Sequence, residues 1–434
     1  MSRKNKGPFI IKDIELFTAG SKGAAIGKTA EGKTVLVRNG VPGDVVDIRV
    51  TKKNRKYIQG TVVEIHHKSE HRKEPECKHF GVCGGCKWQN MRYDIQLHYK
   101  HKEVKDNLER IGKVSTENMI PIVGSEEIYF YRNKMEFSFS NQSWITEEEI
   151  KSGKEIKNRD ALGFHIPGMW SKILDIDECW LQRDPSNAIR NEVKRYAKKN
   201  HLAFFDPVEQ SGFLRTLMIR TTTTGELMVL FQLFQEDVEA REALLNHIQD
   251  TFPEITSLLY AINSKGNDSV YDLDIKTFAG RDYIIEEMEG LKFKIGPKSF
   301  YQTNPKQAHV LYEITRNFAD LTGDELVYDL YTGTGTIAQF VSKKAKKVVG
   351  IESVQEAIDA ATQNAKENNI QNCEFICGDM KDVFTKEFVE EYGTPDVIIT
   401  DPPRDGMHPK VVENILNIAP EKVVYVSCNS ATQA

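Results

Sequence analysis

A cysteine close to the end of the chain stands where a nucleophile could act. Cys428 lies in the sequence VVYVSCNSATQ, which begins as an apolar strand, and it comes shortly after a second apolar run that ends in TDPPR at residues 400–404. A thiolate at the carboxyl end of a parallel strand lies in the crevice where open α/β sheets bind ligands. By residue type alone a strand cysteine is more often a packing residue. The neighbouring motifs favour a nucleophile.

A glycine-rich turn ahead of these segments predicts a cofactor site. The sequence YDLYTGTGT at residues 328–336 follows a short apolar strand and precedes a predicted helix over residues 337–347. Glycines let the backbone turn tightly and approach a ligand at a helix start. A second predicted strand ends in Glu352, roughly 20 residues past the turn, where an acid can accept a ribose hydroxyl pair. The turn has no third glycine at the pyrophosphate position, which favours S-adenosylmethionine over a dinucleotide.

The elements around this turn alternate between strand and helix. A predicted helix over residues 355–369 is followed by short strands at residues 374–376 and 395–400. This alternation predicts an α/β fold with a parallel, doubly wound sheet. Asp-Pro-Pro at the end of the last of these strands is typical of methyltransferases that act on nucleic-acid bases. An aromatic residue after it would stack on an adenine, but this chain has Arg404.

Three further cysteines have a spacing that predicts a metal site. Cys77, Cys83 and Cys86 fall within ten residues, and two glycines lie between the last two of them. Cys179 is the remaining cysteine outside the predicted cofactor domain, so it is the candidate for a fourth ligand. Four thiolates could hold an iron–sulfur cluster or a zinc ion. Disulfides are not expected, because nothing else in the chain is typical of a secreted protein.

The composition indicates a multidomain intracellular protein with a basic front end. The 434 residues are 40% hydrophobic, and no signal-like or membrane-spanning apolar segment is present, so we expect cytoplasmic localisation. The net charge of −5 is unevenly distributed. Residues 1–73 hold 16 Lys and Arg against 7 Asp and Glu, an excess of nine positive charges. This asymmetry predicts that the N-terminal region binds RNA.

The basic front end is predicted to form short strands. Residues 34–38, 44–52 and 59–66 are alternating or apolar, and a basic tip lies at residues 52–56. The pattern predicts a small β-barrel of the oligonucleotide-binding type. A solvated charged hairpin is the alternative.

The central region gives only local predictions. They are a helix over residues 93–111, a strand over 130–140 that carries Arg132 and Lys134, a solvated loop or hairpin tip over 146–160, and a hairpin of 215–220 with 227–234.

Four signatures together resemble the RNA uracil C5-methyltransferases that use S-adenosylmethionine and carry an iron–sulfur cluster, in particular their ribosomal-RNA branch. The resemblance covers nearly the whole chain. The signatures are the cysteine cluster at residues 77–86, YRNK at 131–134, FYQTN at 300–304 and SCN at 427–429.

The resemblance implies three domains. They are a TRAM-like, RNA-binding β-barrel over residues 1–70, a central α+β iron–sulfur domain over 71–290, and a class I, Rossmann-like methyltransferase domain over 291–434.

The resemblance also implies a set of site residues. Cys428 matches the nucleophile, and the cysteine set matches the ligands of a [4Fe-4S] cluster, with zinc as the alternative. The positions that match S-adenosylmethionine contacts are Gln302, Tyr331, Glu352, Asp379 and Asp401. For two of them the residues allow another role: Gln302 could be a helix cap near Pro305, and Asp379 could be a turn residue.

The implied reaction is methylation of C5 of a uridine in 23S ribosomal RNA, before or during subunit assembly, by a monomer. Arg132 and Lys134 would contact the RNA backbone; exposed cations of a sheet are the alternative. Three other functions stay open: a methyltransferase for exocyclic amines, a methyltransferase for transfer-RNA uridines, and a non-catalytic RNA-binding factor.

One feature of the family has no counterpart here. Its members continue past the nucleophile into further strands that supply a glutamate base, and no residue of this chain matches that glutamate. We therefore expect a truncated polypeptide that binds the cofactor but turns over poorly and retains a methylated covalent adduct.

Overall fold

The computed structural model describes residues 9–153, 155–156 and 158–434. The chain divides into two compact units. Among these described residues, the N-terminal unit comprises 9–128, 164–180 and Ala434, and the C-terminal unit comprises those within 129–163 and 181–433. The division into three domains at residues 70 and 290 stays a prediction.

The first five strands close into a barrel, which confirms the predicted front end. Alternate residues such as Val35 and Val37 are fully buried inside it, as period-two side-chain alternation requires. The order of strands around the barrel is β1-β2-β3-β5-β4. The strands are β1 (Ile10–Ala19), β2 (Ala25–Lys28), β3 (Thr34–Arg38), β4 (Val45–Lys53) and β5 (Tyr57–His67).

A buried ionic contact ties the segment after the barrel to a barrel loop. Asp44 is fully buried, and its carboxylate accepts hydrogen bonds from the backbone N–H groups of Val41 at 2.7 Å and Ser69 at 3.0 Å. The Arg72 guanidinium donates to both carboxylate oxygens, at 2.8 and 2.7 Å. Because every oxygen is satisfied, this buried charge fixes the start of the cysteine-bearing segment.

The middle of the chain contributes elements to both units. Its helices and strands are α1 (Tyr93–Arg110), β6 (Lys134–Ser140), α2 (Glu147–Ser152), β7 (Ala161–Ile166), β8 (Met169–Asp175), α3 (Ser186–Lys199), β9 (Leu214–Thr221), β10 (Leu227–Leu233), α4 (Val238–Thr251), β11 (Ser257–Ile262) and β12 (Lys276–Gly280). In the C-terminal unit, six strands form one sheet in the order β12-β11-β10-β9-β6-β7. The predicted hairpin is confirmed, because β9 and β10 pair antiparallel.

Two central predictions are corrected. The strand predicted from residue 130 begins at Lys134, and Phe130 has a φ of 54°, a left-handed conformation that interrupts the extended backbone ahead of it. The predicted loop over 146–160 contains α2. Thr146 caps this helix, since its hydroxyl accepts from the Glu149 N–H at 3.2 Å while the Glu149 carboxylate accepts from the Thr146 N–H at 2.7 Å.

The C-terminal part forms the predicted parallel, doubly wound sheet. Its strand order is β17-β16-β15-β18-β19, and every neighbouring pair is parallel. Within the described residues, every helix is too short or too polar to cross a membrane. The elements are the hairpin β13 (Ile284–Met288) and β14 (Leu291–Ile295), then α5 (Pro305–Ala319), β15 (Leu326–Leu330), α6 (Thr336–Ser342), β16 (Lys347–Glu352), α7 (Gln355–Glu367), β17 (Cys373–Cys377), α8 (Met380–Val383), α9 (Lys386–Tyr392), β18 (Val397–Thr400), α10 (Pro409–Ile418), β19 (Lys422–Tyr425) and α11 (Ser430–Gln433).

Candidate active site

The carboxyl ends of four parallel strands carry four of the residues singled out in the sequence. Tyr331 directly follows β15, Glu352 ends β16, Asp401 follows β18, and Cys428 lies three residues after β19. Parallel strands end at the same edge of a sheet, and ligands of open α/β sheets bind at this edge. The sheet therefore brings these residues to one side of the C-terminal unit.

The turn after β15 presents its backbone to open space. Tyr331, Gly333 and Gly335 all have positive φ angles, of 64°, 57° and 72°. A Cβ at Gly333 would meet no atom within 4 Å, whereas a Cβ at Gly335 would lie 2.8 Å from the ring of Phe375. Gly335 is thus required for packing, and Gly333 leaves room beside the N-terminus of α6 for a ligand.

Glu352 is held in place by backbone N–H groups. Its Oε2 accepts from Gly333 at 3.2 Å, and its Oε1 accepts from Ser353 at 2.7 Å and Val354 at 3.1 Å. The carboxylate thus connects the glycine-rich turn to the start of α7. Such a fixed acid can accept hydroxyl groups without first being ordered.

Asp329 lies beneath the turn and was not among the predicted site residues. It is fully buried, and its Oδ2 accepts from the Thr332 hydroxyl and from the Ala338 N–H at 3.0 Å. Burial is the main cause that raises the pKa of Asp329 to about 7, and the nearby Asp401 raises it further. Its Oδ1 is buried and has no hydrogen-bond partner within the part of the chain that the structure describes. The sequence signal that could have identified Asp329 is its position as the first residue of the glycine-rich turn motif.

Asp401 is partly buried beside two tyrosines. Burial raises the pKa of Asp401 to about 6. Burial also raises the pKa of Tyr312 and of Tyr425, and the charge of Asp401 contributes to both shifts. Asp401 therefore lies near both phenols, and neither tyrosine was singled out in the sequence.

Gln302 is positioned by a residue of the YRNK signature. The buried Asn133 donates from Nδ2 to the Gln302 carbonyl at 3.0 Å, and the Asn133 N–H donates to the Thr303 carbonyl at 2.9 Å. The Gln302 side chain hydrogen-bonds to Tyr312, which lowers the pKa of that phenol. Two signatures 169 residues apart thus meet, and through Tyr312 they connect to Asp401.

The helix-cap alternative for Gln302 is wrong. Helix α5 does begin at Pro305, but Asn304 is its N-cap, because Asn304 Oδ1 accepts from the Gln307 N–H at 3.1 Å. The alternative for Asp379, a local role in a turn, agrees with the contacts that this residue makes. Asp379 is the N-cap of α8, and its ion pair with Lys381 at 2.8 Å lowers its pKa.

Asp379 also lies near the rest of the site. Burial raises the pKa of Tyr331, and the charges of Tyr425, Asp379 and Glu352 contribute to that shift. The Asp379 carboxylate can therefore cap α8 and also lie near Tyr331.

Cys428 is exposed, and its loop is joined to the Asp-Pro-Pro-Arg turn. The Arg404 carbonyl accepts from Asn429 Nδ2 at 3.0 Å and from the Thr432 hydroxyl at 3.1 Å. Both Cys428 and Asp401 contribute to the raised pKa of Tyr425. The thiol is therefore accessible, its loop is held in place, and it lies near the Tyr425 phenol, which Asp401 also neighbours. Accessibility in such a crevice is what nucleophilic chemistry requires.

The two cations of the YRNK signature have local partners. Arg132 lies ahead of β6 and donates from Nε to the Lys134 carbonyl at 3.2 Å. Lys134 forms an ion pair with Glu136 at 2.7 Å. Their contact with RNA stays a prediction.

The four predicted metal ligands lie near one another in the N-terminal unit. Burial raises the pKa of the Cys83 thiol to about 11, and the charges of Cys86, Cys179 and Cys77 also raise it. The Gly85 N–H donates to Cys83 Sγ at 3.4 Å. The Gln89 side chain donates from Nε2 to Cys86 Sγ at 3.2 Å.

The Cys77 thiol has a similar environment. Burial raises its pKa, while hydrogen bonds from the His79 and Phe80 backbones lower it. Thiols gathered in this way, with N–H groups directed at sulfur, fit a metal centre that would supply the missing positive charge.

The comparisons with known proteins agree with this architecture. Residues 13–63 match the TRAM domain, and residues 321–434 match a methyltransferase domain. An RNA methyltransferase of Bacteroides thetaiotaomicron is 53% identical over 417 residues, which cover 95% of this chain and 92% of that protein. One of Porphyromonas gingivalis is 55% identical over 400 residues, covering 91% and 86% respectively.

A solved structure matches almost the whole chain. It is the Pyrococcus abyssi tRNA (uracil-54, C5)-methyltransferase in complex with S-adenosyl-L-homocysteine, with a TM-score of 0.74 and 26% identity. The match covers 97% of this chain and 91% of that one. Fold and site together define an S-adenosylmethionine-dependent methyltransferase. The chain belongs to the RNA methyltransferase family, among the enzymes that methylate uracil.

Proposed function

We propose that this protein methylates C5 of a uridine in 23S ribosomal RNA through a covalent bond between Cys428 and C6 of the uracil. The observation that carries the proposal is the exposed Cys428 thiol, in a loop that is hydrogen-bonded to the Asp-Pro-Pro-Arg turn, which begins at Asp401. An exposed thiol at this edge can reach a base that is flipped out of its RNA stack.

The proposed chemistry follows from the weak reactivity of uracil C5. Addition of the Cys428 thiolate to C6 gives C5 the character of an enolate carbon, which can attack an electrophilic methyl group. S-adenosylmethionine supplies that methyl group on a sulfonium. Loss of the C5 proton to a base and elimination of the thiolate then restore the double bond and release 5-methyluridine.

The other site residues hold the reactants. We assign the ribose hydroxyls of the cofactor to Glu352, whose carboxylate is already fixed by three backbone N–H groups. Gln302, Tyr331 and Asp379 are the remaining proposed cofactor contacts. Asp401 is mostly ionised at pH 7.5, since its pKa is about 6, and it hydrogen-bonds the uracil or the cofactor.

We also propose that Cys77, Cys83, Cys86 and Cys179 hold a [4Fe-4S] cluster. Base methylation by this route moves no electrons, so the role of the cluster is to build the fold or to position RNA. Anaerobic purification should give a brown protein with visible absorbance and about four irons per chain, as this cluster type requires. A colourless protein that contains stoichiometric zinc would contradict the cluster and support the zinc alternative.

The methylation is tested with RNA that carries tritium at C5 of uridine. The full chain, incubated with S-adenosylmethionine and an unmethylated 23S fragment, should release tritium to water and form 5-methyluridine in equal amounts. The control is the Cys428→Ala variant, which should give neither product. Methylated RNA that is released from the protein and still retains its tritium would place the methyl group elsewhere and contradict the proposal.

Transfer RNA is the second candidate substrate. The observation that favours it is the match over 97% of the chain to an enzyme that acts on uracil 54 of tRNA. The N-terminal barrel and the cysteine cluster are instead the features that the resemblance to the ribosomal branch implied. Parallel assays with unmethylated tRNA and 23S transcripts decide between them, because the true substrate should give the larger kcat/KM.

A further inference from the structure

The N-terminal unit contains a cavity that no step of the reaction uses. Its volume is 520 Å³, and it lies between the end of β5 and the segment that carries the cysteines. Val62 and Ile65 form part of an apolar wall, and the partly exposed ring of Phe80 forms another part. A volume of this size suits a single nucleotide or a small cofactor.

Of the three cations that line this cavity, we take Lys68 to be available to a ligand, because Lys73 pairs with Glu76 at 3.2 Å. Lys68 lines the cavity and is exposed, and it has no hydrogen bond or ion pair with the described residues. Arg72 also lines the cavity, but its guanidinium is bonded to Asp44 and to the Asn39 carbonyl. Arg72 therefore builds the wall, while the Lys68 ammonium can bind an anion.

The wall also contains a polar atom without a partner. Asn90 is only 3% exposed, and its Nδ2 donates to the Asn39 carbonyl at 3.0 Å. Its Oδ1 is buried and accepts no hydrogen bond from any described residue. A buried acceptor left unsatisfied costs about 1 to 3 kcal/mol, so a rotation of the Asn90 amide that brings Oδ1 to a donor of the ligand would add affinity.

We propose that this cavity binds one unpaired nucleotide of the RNA substrate, apart from the uridine that is methylated. The base packs against Phe80 and the aliphatic wall, its exocyclic amino group donates to Asn90 Oδ1, and its phosphate pairs with Lys68. Proteins recognise single-stranded RNA by this combination of stacking, edge hydrogen bonds and cations. The inference rests on the proposed function only in taking RNA as the substrate.

The cavity is coupled to the cysteine cluster through the chain. Phe80 lies between Cys77 and Cys83, and its N–H donates to the Cys77 carbonyl at 3.0 Å. The adjacent Gly81 carbonyl accepts from Asn39 Nδ2 at 3.4 Å. A metal on the cysteines would therefore fix Phe80 in the cavity wall, which gives the metal centre a role in positioning RNA.

The first test is RNA affinity of the full chain, measured by fluorescence anisotropy with an unmethylated 23S fragment. Phe80→Leu should weaken binding about tenfold, since stacking on one base contributes about 1 to 3 kcal/mol. Lys68→Gln should weaken it about threefold and reduce its salt dependence. The control Lys386→Gln removes an exposed charge from α9 and should not change RNA affinity. Metal content and S-adenosylmethionine affinity should match the unsubstituted protein in all three variants.

The decisive test combines these variants with abasic RNA. Each nucleotide that flanks the target uridine is replaced in turn by an abasic one. At one position, the abasic replacement should lower the RNA affinity of the unsubstituted protein about tenfold. The same replacement should hardly change the affinity of the Phe80→Leu variant, because the abasic replacement and the substitution remove the same stacking contact. Equal costs in both proteins at every position would overturn the cavity proposal, as would a protein that does not bind the RNA.

The two proposals fail separately. Methylation without coupling between Phe80 and any nucleotide would overturn the cavity proposal and leave the methylation intact. Coupling without tritium release would support the cavity and contradict the proposed reaction.

Discussion

In the N-terminal unit Cys83 is partly buried among three other cysteines, whereas in the C-terminal unit Cys428 is exposed on a loop beside a ligand-binding edge. Burial raises the pKa of Cys83 to about 11, so its thiolate needs a metal to form at neutral pH. Cys373, which also lies in the C-terminal unit, has its pKa raised to about 12 by burial. We propose that their surroundings, rather than their residue type, divide these cysteines into ligand, nucleophile and packing residue.

The largest expected effect separates the nucleophile from the packing cysteine. Cys428→Ala should lower the rate of methyl transfer by at least about 10³-fold, because the variant lacks the thiolate that we propose adds to C6. Cys373→Ala should keep the rate within about threefold, because it changes only packing beside β17. Single-turnover transfer of a labelled methyl group measures both rates. Comparable rates for the two variants would contradict the assignment of Cys428 as the nucleophile and of Cys373 as a packing residue.

Removing a proposed metal-ligand thiol from the N-terminal unit should change methyl transfer in the C-terminal unit only through a change in RNA binding. Cys83→Ala should lose the bound metal and lower the unfolding midpoint by about 5 °C or more, since metal binding contributes to folding free energy. Its affinity for S-adenosylmethionine should stay unchanged. Calorimetry and cofactor titration check this prediction, and a loss of cofactor binding in this variant would contradict it.

The substitution Glu352→Gln tests the proposed contact between Glu352 and the ribose hydroxyls of the cofactor. The amide keeps the shape of the side chain but replaces a charged acceptor, and a hydrogen bond to a charged group contributes about 1.5 to 3 kcal/mol. We expect S-adenosylmethionine affinity to fall about 10- to 100-fold, as measured by isothermal titration calorimetry. Glu356→Gln, an exposed acid in the first turn of α7, is the matched control and should bind normally.

The smallest expected effect concerns the stability of the cofactor-free protein. The folded state raises the pKa of Asp401 from 3.8 to about 6, so above pH 4 the unfolded chain ionises more readily than the folded one. Stability therefore falls as pH rises from about 4 to 6, and Asp401→Asn should remove this loss.

We expect that variant to be more stable by about 1 to 3 kcal/mol at pH 7.5 and unchanged at pH 3.5. Denaturant titrations at the two pH values measure the difference. A variant that is less stable at pH 7.5 would show that the charge of Asp401 is stabilised in the folded protein.

Much of this architecture follows from local sequence patterns. The strand–helix alternation predicts the parallel sheet, and because parallel strands end at one edge, Tyr331, Glu352, Asp401 and Cys428 could be expected together. Strand β1 was not predicted, because Asp13 has a φ of 54° and the register shifts between Ile11 and Ile14, which breaks the alternation.

Other site features depend on contacts between distant residues. The bond from Asn133 to Gln302 spans 169 positions, and the two tyrosines beside Asp401 come from α5 and β19. No local period encodes such pairs. Helix α2 is a different case, since its capping box was present in the sequence as Thr146 and Glu149 but was outweighed by the hydrophilic character of the segment.

The central claim is that Cys428 bonds to the base during methylation. The direct measurement is mass spectrometry of the full chain after incubation with S-adenosylmethionine and 5-fluorouridine RNA, because fluorine at C5 blocks the elimination that would release the thiol. The account predicts an adduct on the Cys428 peptide that carries the transferred methyl group, and none in Cys428→Ala. Folded, cofactor-bound protein that methylates unmodified RNA yet forms no such adduct would contradict it.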